Sequence, residues 1–116
     1  METKAKRTLV KSAPELWELA DDVGRMEDWM AGLVGTPHPV SVEVIHRQRE
    51  RTLAWRTADA GPEDARIALQ LAEKGFGTAV SITAVHSRPD HGDVADALEQ
   101  LLDELGSPER RPFGQA

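Results

Sequence analysis

The sequence predicts an α+β domain: a curved antiparallel sheet of about five strands closing on a long C-terminal helix, with a short helix pair after the first strand. Three observations carry this reading. Apolar residues alternate at Leu53 and Trp55, at Ile67, Leu69 and Leu71, and at Val80, Ile82 and Ala84, the period of strands with one buried face. Val94, Leu98, Leu101, Leu102 and Leu105 recur at helical spacing, and Asp93, Asp96, Glu99, Asp103 and Glu104 lie mainly on the opposite side, as in a helix with one face on a core. The connections between the alternating segments are short, which favours an antiparallel meander.

Taken in order, the first strand is expected over roughly Lys4 to Lys11, where alternation is weak and context decides. "SAPELWELADDV" opens a helix: Ser12 can cap it, Pro14 fits the first turn, and Glu15 stands three residues after Ser12, the spacing of a capping box. Leu16, Leu19, Ala20 and Val23 form its apolar stripe, with Trp17 at the margin, and Gly24 is expected to break it. "RMEDWM" reads as a second short turn of helix, with Met26, Trp29 and Met30 at helical spacing. "AGLVGTPHP" is rich in glycine and proline and reads as a loop. "VSVEVIHRQRE" follows as a strand with Val40, Val42 and Val44 on one face, and "HRQRER" is its hairpin tip, leading into "RTLAWRT". "ADAGPED" separates that strand from "ARIALQLAE", and "KGFG" turns tightly into "TAVSITAVHS". Gly106 and Pro108 stop the last helix. Residues 1–106 are expected to form one domain and 107–116 a flexible tail.

Composition excludes several functions. A net charge of −6 argues against general binding to nucleic acid or an anionic membrane. Without cysteine there is no disulfide, thiolate nucleophile or zinc–thiolate site. The apolar run in "METKAKRTLV" is two residues long, too short for a signal-peptide core or a membrane anchor. The expected location is the cytoplasm.

Three stretches carry a family resemblance. "SAPELWELADDVGRMEDWM", "VEVIHRQRERTLAWRT" and "GFGTAVSITAVHS" resemble, in that order, the first helical pair, a strand–hairpin–strand with a basic tip, and the last strand of the START / Bet v 1-like (helix-grip) superfamily, in particular its polyketide cyclase/dehydrase-like branch. The likeness runs from about Lys4 to Leu105. It implies a reduced helix-grip fold that binds an apolar or aromatic small molecule, polyketide-like or lipid-like, between the sheet and the final helix, without a cofactor. Any catalysis would be cyclisation or dehydration guided by the shape of the pocket. Family members have seven strands; here the segment between Trp29 and Val40 is too short for two of them, so part of the usual wall is missing.

On that resemblance the ligand-binding candidates are Trp29, Met30, His46, Trp55, Leu69, Leu98 and Leu102. Each has a plainer reading. The tryptophans and Met30 can simply fill a core. His46 shares the parity of Val40, Val42 and Val44 and could face inward to move a proton, or it sits solvated at the hairpin rim. His86, Asp90, His91 and Asp93 cluster before the last helix, but their spacing matches no standard zinc pattern, and no metal is expected. "GFG" opens a strand rather than a helix, so it offers no anion site. The acidic residues of the last helix read as a solvated face.

The rival to a ligand-binding protein is a non-enzymatic interaction or dimerisation module without a ligand cavity. Loss of two strands would leave "VSVEVIHRQRE" at the sheet's edge, a pairing hazard. This predicts a homodimer with Val42 and Val44 near their mates.

Overall fold

In a computed structural model of the chain, which describes residues 2–58, 65–86 and 91–106 (except the side chains of 91 and 92), eight elements form. They are β1 (Glu2–Leu9), α1 (Ala13–Ala20), α2 (Val23–Val34), β2 (Val42–Gln48), β3 (Thr52–Thr57), β4 (Arg66–Lys74), β5 (Gly77–Val85) and α3 (His91–Gly106). The five strands make one antiparallel sheet in the order β1-β5-β4-β3-β2. The fold class is therefore the one the sequence predicts, and β2 is an edge strand.

The capping box that starts α1 is formed. The Glu15 backbone N–H donates to Ser12 Oγ at 3.3 Å, and the Ser12 N–H donates to Glu15 Oε1 at 3.2 Å. Accepting from both the N–H and the hydroxyl of Ser12 holds the Glu15 carboxyl below the usual glutamate range. Ser12→Ala is expected to destabilise the protein by about 1 kcal/mol, whereas Ser12→Asp, which also accepts at this position, should be nearly neutral. Urea denaturation of both variants checks this, and equal losses would refute the cap.

The expected break at Gly24 does not occur there. The first helix ends at Ala20, and Asp22 caps a new one by accepting from the Arg25 N–H at 3.2 Å. Gly24 is merely the second residue of α2. This helix also runs through "AGLV", which composition assigns to a loop, because Leu33 extends the buried row of Met26 and Met30 by another turn. It stops at Gly35, whose N–H bonds to the Ala31 carbonyl at 2.9 Å.

One face of the sheet is apolar, row by row. Val44, Trp55, Ile67 and Ala84 stand side by side across four strands, and Leu53, Leu69, Ile82 and Ala5 form the next row. These rows join the buried residues of all three helices in one core. Among the helices, α2 lies over β2 and β3, α3 lies against β1 and α2, and α1 sits near β4. The final helix thus reaches the sheet chiefly along β1, while α2 covers the part of the sheet carrying Trp55.

Between Val44 and His46 the β2–β3 register shifts, leaving Ile45 as the extra residue of a bulge. The bulge reverses the parity on which His46 was expected to face inward. His46 pairs with Ala54, off the row of Val44 and Trp55, and is exposed.

At the β4–β5 turn, Lys74 pairs with Gly77 and the two-residue loop is Gly75-Phe76, with Gly75 at φ 60°. A positive φ at the first loop position alone is the type II′ geometry, which suits the twist of a hairpin and requires glycine there. None of the helices formed by the described residues is long and apolar enough to cross a membrane.

Candidate functional site

The place where a helix-grip chain would hold a ligand lies between the inner sheet face and the helices. Six of the seven candidate residues converge there. Trp29 and Met30 come from α2, Trp55 from β3, Leu69 from β4, and Leu98 and Leu102 from α3, and all belong to the same buried cluster. His46 does not join them.

The two tryptophans of this cluster pack against each other. Their rings lie 6.0 Å apart between centroids and are inclined by 35°, within the range in which tilted aromatic pairs attract. Their polar ends are treated differently. Trp29 Nε1 donates to Glu104 Oε2 at 3.1 Å. Trp55 is 0% exposed, and its Nε1 has no hydrogen-bond acceptor among the described residues. Met26 and Met30, both fully buried, belong to the same cluster. Thioethers on flexible stems let such a region adjust its shape at small cost.

The acidic face of α3 is solvated as expected, with Asp93, Asp96, Glu99, Asp103 and Glu104 all exposed, and three of these carboxylates also accept hydrogen bonds. Besides the bond from Trp29 to Glu104, Arg7 Nη1 donates to Asp103 Oδ1 at 2.6 Å and Arg7 Nη2 donates to Glu99 Oε1. These carboxylates push the Arg7 pKa above its already high value. The signal for this clamp was present in the sequence, since Arg7 shares the inward parity of Ala5 and Leu9. Held between strand and helix, the guanidinium pins the outer margin of α3 to β1.

His86 is buried, and its Nε2 shares a hydrogen bond of 2.9 Å with Thr3 Oγ1. Asp90 and the side chain of His91 lie outside the described residues. Among the described residues no three His, Asp or Glu side chains lie together as a metal site would require.

A cleft that no motif in the sequence marks opens at the other end of the sheet. It has a volume of about 480 Å³ and lies between the β1–α1 turn and the β4–β5 tip, lined by Val10, Lys11, Ser12, Pro14, Glu73 and Phe76 among others. Val10 is 88% exposed and Phe76 wholly so.

No protein-family model matches the chain, and no curated protein matches it. Solved structures do. A Deinococcus radiodurans protein superposes with a TM-score of 0.67 at 14% identity, covering 90% of this chain and 97% of that one. CalU16 from Micromonospora echinospora gives 0.68 at 19% identity over 90% of this chain and 63% of that one. The Aha1 dimer from Colwellia psychrerythraea gives 0.66 at 18% identity, over 91% and 96%. At these identities the likeness is one of fold, consistent with a helix grip.

Proposed function

We propose that the chain binds an apolar or aromatic small molecule carrying a hydrogen-bond acceptor, held between the sheet and the helices with Trp55 Nε1 as the donor. The buried indole N–H of Trp55 carries this reading. A buried donor left without an acceptor costs about 1–3 kcal/mol, and a ligand oxygen reaching it would remove that cost. The adjustable methionines and the tryptophan pair supply the apolar surroundings such a site needs. The resemblance to the polyketide cyclase/dehydrase-like branch directs the choice toward polyketide-like, lipid-like or isoprenoid ligands.

1-Tetralone and tetralin test this directly, because they share a bicyclic shape and differ in a carbonyl. Wild-type protein is expected to bind the ketone more tightly, by calorimetry and by tryptophan fluorescence. Trp55→Phe should weaken ketone binding about tenfold, the loss of one hydrogen bond of roughly 1.4 kcal/mol, and leave tetralin unchanged. If both compounds bind equally well, the indole donor has no role. If neither produces heat or a spectral shift, the ligand reading falls and the non-enzymatic interaction module replaces it.

Self-association is a second, compatible reading. The sheet is open at β2 rather than closed into a barrel, and the Colwellia protein of this fold is a dimer. A homodimer is therefore proposed here as well.

A further inference from the structure

We infer that Trp29 is the door of the proposed binding site and that Glu104 holds it shut, so that an apolar ligand enters along the seam between α2 and α3. This rests on the ligand reading above and adds to it a route and a positioning residue.

A ligand that accepts from Trp55 Nε1 must first reach it. Trp55 is 0% exposed and stands on β3, which is paired on one side with β2 and on the other with β4. Two ladders fix its backbone, so a neighbouring side chain has to give way. Trp29 is placed to do so. Its ring packs on that of Trp55, yet it still shows 6% of its surface to solvent. Its polar end crosses from α2 to α3, where Nε1 donates to Glu104 Oε2 at 3.1 Å. Glu104 is itself exposed. The ring thus runs from a surface carboxylate inward to the buried indole.

Elsewhere along the seam the helices meet differently. At Gly32, one turn further along α2, a Cβ would stand 4.0 Å from that of Ala97 on α3. Small residues bring the helices together there, and no side chain can swing out of such a contact to make room. At Trp29 a single large side chain spans the two helices. The bond that holds it opens readily, because a hydrogen bond to an exposed carboxylate exchanges for bonds to water at small net cost. Met26 and Met30, fully buried on the same helix, can adjust to the space the ring leaves.

Exchange of indole N–H groups with solvent, followed by NMR on the full chain, tests the door without a ligand. The Trp55 N–H is expected to exchange by local opening, faster than the slowest backbone amides of β3 and β4. Glu104→Ala should speed it about fivefold, as for the loss of one hydrogen bond, and leave those amides unchanged. Glu104→Gln, whose amide oxygen still accepts, should restore exchange close to wild type. With 1-tetralone in stopped-flow fluorescence, Glu104→Ala should quicken association and dissociation by a similar factor, since a door obstructs entry and exit alike. Equal acceleration of the β3 and β4 amides would make the Glu104 bond a structural tie and overturn the door, as would Trp55 exchange that ignores Glu104→Ala. If 1-tetralone binds at rates indifferent to Glu104→Ala, the door falls and the ligand reading survives. If exchange responds to Glu104→Ala and 1-tetralone does not bind, the motion of Trp29 stands and the ligand reading falls.

Discussion

Leu102→Ala is expected to destabilise the protein by about 2–5 kcal/mol, the range for deleting a fully buried leucine. Leu102 is completely buried on α3, in one cluster with Leu98, Leu101 and Leu105 and with the sheet residues Trp55, Leu69 and Ile82. The cost has two parts, the lost transfer of the deleted methyl groups from water and the cavity left where a rigid sheet and a clamped helix cannot close in. Arg7 ties α3 to β1 through Glu99 and Asp103, which limits that relaxation. A domain of this size has only about 5–15 kcal/mol of stability, so the variant should unfold at a visibly lower urea concentration with an unchanged slope. A loss below about 0.5 kcal/mol, the size typical of surface changes, would show that α3 is not packed as a lid on the core.

Gly77→Ala is expected to cost as much as or more than the upper end of the roughly 1–3 kcal/mol seen for overpacking. A Cβ at residue 77 would fall on the Leu9 carbonyl oxygen and 2.9 Å from its carbon. Both are backbone atoms, so no rotamer change can give way. The end of β1 would have to separate from β5, straining the Leu9–Thr78 pair and the hydrogen bond of 2.8 Å from Thr78 Oγ1 to the Lys11 carbonyl. Gly106→Ala is the informative comparison, since its Cβ would come within 2.9 Å of Leu9 Cδ2, the far end of a side chain, and would meet no backbone atom. Chemical denaturation should show the larger loss at Gly77, and hydrogen exchange should show it as faster opening of β1. If the two variants lose stability equally, the close approach of Leu9 does not limit this junction.

Much of the fold was legible because its periods are local. Period-two alternation in β3, β4 and β5 assigned their buried faces, and the leucines of α3 assigned its stripe, since each pattern repeats within one element. The Ser12–Glu15 box was legible for the same reason: both partners lie within one turn. Where local signals competed, the reading slipped. Gly24 looked like a stop because glycine is a poor helix former, yet near the N-terminus of α2 its cost is small beside the burial of Met26, Met30 and Leu33. The helical row continued visibly to Leu33, and the glycines of "AGLVG" hid it.

The site divides along the same line. By itself the sequence determined which faces are apolar, that strands and helices form one α+β layer pair, and that β2 would stand at an edge. The tertiary structure alone decided that a bulge at Ile45 turns His46 away from the core, that Trp29 finds Glu104 while Trp55 Nε1 finds no acceptor among the described residues, and that Val10 and Phe76 line one cleft. Each of these joins residues far apart in the chain or depends on a shift of one residue in strand pairing. Period and propensity report what a residue prefers within its own element; they carry no information about which distant atom arrives to satisfy it.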